Sequence, residues 1–82
     1  MKLTDPKRKQ ALDPLLKKIA HHISMMRHDR KLSQFALSKE AEMSQTYYCE
    51  LEKGEHNFSI GTLAKIAKAL KVNIKDLIPD DV

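Results

Sequence analysis

The side chains most able to do chemistry are four histidines, one cysteine, four methionines and a group of amides, hydroxyls and carboxylates near the middle of the chain. His21 and His22 are adjacent, so on a helix they point about 100° apart. His28 lies two turns from His21, too far to share one ion without acidic help, and no zinc site is expected. Cys49 has no His or Asp at a spacing that would activate a nucleophile. Met25, Met26 and Met43 are expected in the core rather than on a cofactor. With only two glycines there is no glycine-rich phosphate loop. Nothing here points to an enzyme, and no cofactor is implied. What remains is hydrogen-bonding chemistry, chiefly Gln45, Thr46 and Glu50.

The size and charge of the chain narrow the uses of such a group. Eighty-two residues and 9.4 kDa allow one domain. A chain this short buries only about 60% of its unfolded surface, which leaves no room for a deep cleft between subdomains. A composition of 41% hydrophobic and 32% charged residues is that of a globular domain. The single cysteine cannot form an internal disulfide and suits a reducing, cytoplasmic setting. The N-terminus lacks an apolar signal core, and no run of eighteen apolar residues exists, so neither secretion nor membrane spanning is expected. Residues 1–31 hold nine Lys/Arg against three Asp, whereas residues 32–82 hold six Lys against eight Asp/Glu. The overall pI of about 9.3 favours a polyanionic partner, although the uneven split makes this weak support.

Four segments share the grammar of a helix start, in which a capping residue is flanked by an apolar residue before it and another four positions on. They are Leu32-Ser33-Leu37, Met43-Ser44-Tyr48, Phe58-Ser59-Leu63 and Val72-Asn73-Leu77. Asn73 adds Asp76 three residues later, an acidic variant of the capping box. An earlier helix is predicted from Asp13 as cap and Pro14 at the first helical position, with Leu16, Ile19, Ala20, Ile23 and Met26 facing the core. Ile60, Leu63, Ile66, Ala67 and Leu70 keep the same period, and no segment alternates long enough for a strand. The fold class is all-α with five helices. Residues 1–12, carrying Lys2, Lys7, Arg8 and Lys9, read as a basic arm disordered in isolation, with Thr4-Asp5-Pro6 able to start a short extra turn. Residues 13–82 form the domain.

The second and third helices, Ser33 to about Ala41 and Ser44 to about Lys53, are joined by two or three residues. So tight a connection forces a steep crossing, the helix-turn-helix geometry. Tyr48 and Leu51 then face inward beneath helix two, which leaves Gln45, Thr46, Cys49 and Glu50 on the outer face. A glutamine amide can pair twice with adenine N6 and N7, and threonine offers one bond and a methyl contact to thymine. Ser33 and Ser59 cap helices with no acid in the first turn, which suits an anion such as phosphate. Against this, Glu40 to Glu55 contains five Glu and one Lys. Glu50 either accepts a bond from cytosine N4 or is a solvated bystander that repels DNA, and the sequence leaves both open.

The segments Leu32-Ser33-Gln34, Ala41 through Tyr48, Leu51-Glu52-Lys53-Gly54 and Ser59 through Ile78 resemble the Cro and phage-repressor type of helix-turn-helix domain. This is the xenobiotic-response-element (XRE) class of small bacterial and phage regulators. The resemblance covers about residues 16–78 and implies a compact five-helix, lambda-repressor-like DNA-binding domain. It implies that Gln34 contacts phosphate and a base, that Gln45, Thr46 and Glu50 read bases, and that Tyr47 lies beside the DNA backbone. Asn57 and Ser59 would meet phosphate at the start of helix four, and Ser44 and Lys53, at the two ends of helix three, complete the expected DNA-binding set. Arg27 and Glu52 would form an internal salt bridge. The family usually places glycine after helix one and in the turn, where this chain has Lys31 and Glu42; Ser38 replaces a frequent alanine.

The expected function is a sequence-specific DNA-binding transcriptional regulator, a repressor type of protein acting as a homodimer on an inverted-repeat operator in double-stranded DNA. Ile74, Leu77 and Ile78 supply the twofold contact that the resemblance implies. Two alternatives stand beside it. The domain could be the antitoxin of a toxin pair, with Phe35 as a protein contact, or an interaction module, for example toward transcription machinery, that has lost DNA binding, as the acidic third helix suggests.

Overall fold

The computed structural model describes the backbone of residues 6–80 and the side chains of residues 14–80. Four α-helices follow one another: α1 (Pro6–Asp29), α2 (Gln34–Glu40), α3 (Gln45–Glu52) and α4 (Ile60–Leu70), then a 3₁₀ turn at Ile74–Leu77. Among the described residues there is no strand. The expected fifth helix is thus a single turn. Asp76 does reach back to accept the Asn73 backbone N–H at 3.0 Å, as the acidic cap predicts. Ile78, however, is extended at φ −96° and ψ 119° because Pro79 follows it, and a residue before proline is sterically kept out of the helical region.

The first helix also departs from expectation, beginning at Pro6 rather than Asp13. Pro6 takes the first-turn position expected of Pro14, for its fixed φ suits a helix start. Pro14 lies inside the helix and forgoes one N–H bond. The backbone of residues 6–12, expected in a disordered arm, is therefore helical. Lys2, Thr4 and Asp5 lie outside the described residues, as do the side chains of Lys7, Arg8 and Lys9.

The remaining helix starts fall on their capping residues. Ser33 accepts from the Ala36 N–H at 2.9 Å, Ser44 from Tyr47 at 3.1 Å and Ser59 from Thr62 at 3.0 Å. Ile19, Ala20 and Ile23 of α1, Leu37 of α2, Tyr48 and Leu51 of α3, and Leu63, Ile66, Ala67 and Leu70 of α4 form one core, which Leu77 closes from below. Each large apolar side chain so buried contributes about 1.5–3 kcal/mol. Met26 and Met43 pack against this core. Met25 does not: it stands one step, about 100°, off the inward face and is exposed. Ser38 fits beneath α2 by donating its hydroxyl to the Phe35 carbonyl at 2.8 Å.

All four α-helices end alike. In each, a left-handed residue turns the chain and the N–H after it returns to the carbonyl five residues back: Leu32 to Arg27, Met43 to Ser38, Glu55 to Glu50 and Val72 to Ala67. The left-handed residues are Lys31 (φ 57°), Glu42 (φ 59°), Gly54 (φ 77°) and Lys71 (φ 61°). Only Gly54 is suited by type, and there a second constraint applies. A Cβ on it would lie 2.8 Å from Cγ and 3.4 Å from Cα of Lys17, so glycine lets α1 cross the end of α3. The turns at Lys31 and Glu42 keep the left-handed backbone that glycine would favour.

A left-handed L-residue costs roughly 1–2 kcal/mol, against about 0.4–1 kcal/mol for the extra unfolded-state freedom of glycine. Lys31→Gly, Glu42→Gly and Lys71→Gly should each stabilise the domain by about 0.5–1 kcal/mol and raise the melting temperature by a few degrees. Thermal unfolding followed by circular dichroism checks this, and a drop in melting temperature for all three would contradict the left-handed assignment.

Candidate nucleic-acid interface

What orients α3 is a polar network set into the core. The Glu52 carboxylate, at the last residue of α3, takes Arg27 Nε at 2.6 Å on one oxygen and Arg27 Nη2 at 3.2 Å on the other. Tyr48 donates its hydroxyl to the first oxygen, and Gln34 Nε2 donates to the second at 3.0 Å. The remaining guanidinium nitrogen, Nη1, donates to the Leu32 carbonyl at 2.7 Å, tying the α1–α2 turn to the same carboxylate. Arg27 and Glu52 side chains are 9% and 7% exposed, so this is a buried ion pair, and each guanidinium nitrogen and each carboxylate oxygen has at least one partner.

The electrostatics follow from that geometry. Burial alone would push the Glu52 carboxyl up, but hydrogen bonds from Arg27, Tyr48 and Gln34 outweigh it and hold it below the ordinary carboxylate value. The hydrogen bond to Glu52 raises Arg27 further still, against the effect of burial. Burial, followed by the bond to Glu52, lifts the Tyr48 phenol far above its usual range.

With Tyr48 and Leu51 turned inward, α3 presents Gln45, Thr46 and Tyr47 to solvent, and Cys49 and Glu50 are half-buried. Ser44 and Lys53 cap the two ends of α3, exposed, and Asn57 and Ser59 lie exposed just before α4. Gln34 is the exception in orientation. Its amide is taken up internally, donating to Glu52 and accepting from Cys49 Sγ at 3.1 Å, so it sits behind α3 as a spacer between Cys49 and the ion pair.

One residue that sequence spacing did not single out belongs to this surface. His56 Nε2 lies 2.7 Å from Glu50 Oε1, and its ring stands 5.3 Å from that of Tyr47 at 36°. Six residues separate His56 from Glu50, which is no helical spacing. The helix ends between them, and the left-handed Gly54 folds the chain back. The turn signal Gly54 was visible; the return angle that brings His56 onto α3 was not. Of the other histidines, His22 donates to the Asp76 carbonyl at 2.9 Å, and His28 Nδ1 to the Ser24 carbonyl at 2.8 Å.

The family model of the Cro/C1-type HTH DNA-binding domain matches residues 22–80. The immunity repressor protein of Bacillus phage phi105 is 29% identical over 63 residues, covering 77% of this chain and 44% of that protein. The control protein C.BamHI of Bacillus amyloliquefaciens is 40% identical over 47 residues, covering 57% of this chain and 58% of that protein. The chain thus spans about half the length of these two relatives. Among solved structures, the restriction-modification controller protein C.AhdI of Aeromonas hydrophila superposes with a TM-score of 0.75 at 27% identity, covering 77% of this chain and 96% of that one. The clp gene regulator ClgR of Corynebacterium glutamicum gives 0.73 at 25% identity, covering 77% of this chain and 82% of that one.

The network supplies a stability test. Arg27→Met strands the Glu52 carboxylate and should cost about 3–5 kcal/mol. Arg27→Met with Glu52→Leu and Tyr48→Phe removes every charged or hydroxyl member and should recover most of that loss. Because the Glu52 carboxyl is held down in the folded state, its contribution is present above the ordinary carboxylate value of about 4.3 and fades as pH falls below it. Melting curves of the variants between neutral and acid pH check both, and additive losses in the triple variant would argue against the bridge.

Proposed function

The chain belongs to the Cro/C1-type HTH DNA-binding domain family, and from that membership we propose that it is a sequence-specific transcriptional regulator that binds an inverted-repeat operator as a homodimer with α3 in the major groove. The observation that carries this reading is the exposure of Gln45 and Thr46 in the first turn of an α3 whose opposite face is fixed by the Arg27–Glu52 network. Side chains meant to read bases must be free to pair, on a helix that is not. Gln45 pairs with adenine and Thr46 with thymine, while Ser44, Tyr47, Lys53, Asn57 and Ser59 hold the backbone. Gln34 acts from behind α3 and uses its second amide hydrogen toward phosphate. α4 has no acid in its first turn, which leaves its free N–H groups open to a phosphate.

The acid count that spoke against DNA falls on inspection. Glu52 is internal, and Glu50, though partly open to solvent, is paired with a histidine. The names of the relatives, an immunity repressor and a restriction-modification controller, support a regulatory role for this chain. Of the three C-terminal apolar residues, Leu77 is in the core and Ile78 packs against it, so the dimer contact rests on the exposed Ile74. Twofold pairing there sets two copies of α3 about 34 Å apart, one turn of B-DNA. The basic residues at the N-terminus add phosphate contacts that are indifferent to sequence. The reading places the protein in the cytoplasm, with DNA, and no described helix is long and apolar enough to cross a membrane.

A second reading, in which the domain also docks a protein such as a toxin, is favoured by one observation. Phe35 is 53% exposed on α2, beside a groove of about 680 Å³ shared with Leu32, Lys39 and Lys71. Co-purification with a second small protein supports it.

Selection of bound sequences from a random duplex pool tests the main reading. Gln45→Ala should lose about 1–3 kcal/mol at one base pair per half-site, with preferences elsewhere intact. An unchanged selected sequence at every position would remove α3 as the reading helix, and half-sites without twofold symmetry would remove the dimer.

A further inference from the structure

We propose that His56 is a specificity and affinity determinant of the DNA interface, setting the charge that Glu50 presents to DNA so that binding takes up a proton. The inference rests on the reading of α3 as the DNA-contacting helix. Its observations are geometric: the 2.7 Å contact from His56 Nε2 to Glu50 Oε1, and the 5.3 Å ring contact with Tyr47.

An ionised carboxylate only accepts, so Nε2 must carry the hydrogen in that contact. The other ring nitrogen, Nδ1, has no hydrogen bond among the described residues. While the ring is neutral, Nδ1 is an acceptor and Glu50 keeps its full negative charge on the face that approaches phosphates. Protonation changes both at once. The imidazolium cancels the Glu50 charge, and Nδ1–H becomes a donor turned away from Glu50, available to a phosphate or to a guanine acceptor. The Tyr47 ring lies within the distance at which an aromatic face favours a cation. DNA therefore favours the protonated ring, and binding weakens as pH rises.

The charged groups around His56 are few. Glu50 meets it from α3, where Tyr47 is the other titratable neighbour in contact among the described residues. Its own loop carries Lys53 and Glu55, and from α1 the stem of Lys17 lies against Gly54. His21, His22 and His28 are all on α1. A pH effect from them persists when His56 is replaced, which separates the two sources.

The test measures duplex binding by the full chain at about pH 6 and about pH 8, with the wild-type protein, His56→Gln and Glu50→Gln, on the sequence that the wild type selects. Histidine charge changes within that interval. Glutamine keeps a donor to Glu50 but cannot be charged. The wild type should bind tighter at the lower pH by up to about fivefold, the upper end for an exposed charge pair. His56→Gln should be flat, and Glu50→Gln should bind more tightly than the wild type at pH 8. Calorimetry in buffers of different ionisation heat should show proton uptake by the wild type at about pH 6.5 that His56→Gln loses. Equal pH dependence and equal uptake in the wild type and His56→Gln would overturn the proposal while leaving the DNA reading intact. Failure of the wild type to select any sequence would instead remove the DNA reading, and this proposal with it.

Discussion

The Arg27–Glu52 pair is the constraint on which the rest of the domain depends. A short α3 of eight residues buries only two side chains, too few to fix both its tilt and its rotation. The carboxylate at its end gathers bonds from α1, α2 and α3 itself, through Arg27, Gln34 and Tyr48, and the same guanidinium holds the α1–α2 turn through Leu32. Three helices thereby share one charged centre. Such a centre gives little net stability over a well-packed apolar one, because both ions must be stripped of water. What it supplies is direction: hydrogen bonds have angles, and apolar contacts do not.

Direction is what reading bases needs. A bidentate amide contact tolerates little error in the angle at which its helix enters a groove. The chain thus divides its polar residues by depth. Behind α3, Arg27, Gln34 and Tyr48 all bond to the Glu52 carboxylate, and no buried side-chain nitrogen or oxygen lacks a partner among the described residues. In front, Gln45 and Thr46 are exposed with no side-chain partner among the described residues, and Glu50, Tyr47 and His56 form a looser cluster open to solvent on one side. The order behind makes the openness in front usable.

Much of this was legible in the sequence, and the misses have physical causes. The serine caps at 33, 44 and 59 fixed three helix starts because a capping hydroxyl and its staple are local features. The inward turn of Tyr48 and Leu51 followed from periodicity. Pro6 and Pro14 are equally good first-turn residues, and local rules could not choose between them. The fifth helix failed because its start signal at Asn73 is local while its stop is imposed by Pro79 acting on Ile78. The pairing of Arg27 with Glu52 came from resemblance to a family rather than from spacing, since the two lie 25 residues apart. Gln34 was expected at phosphate and a base through the resemblance; its bonds to Glu52 and Cys49 were not legible, because nothing in sequence reveals which way a half-buried side chain turns. His56 was missed for a like reason: it reaches Glu50 through a turn, and turns break the periodicity on which such reasoning rests.

The left-handed lysines and glutamate at the helix ends bear on something other than geometry. They hold the domain below the stability that its core and caps could reach, and in a cell a difference of about 1–2 kcal/mol changes the steady-state amount of a small protein several-fold through chaperones and proteases. For a regulator, occupancy of a site depends on how many copies exist as much as on how tightly each one binds. Lys31, Glu42 and Lys71, which sit in turns, therefore bear on dosage: they influence how long each copy survives, and so, in the proposed regulatory role, how quickly a regulated state fades once synthesis stops.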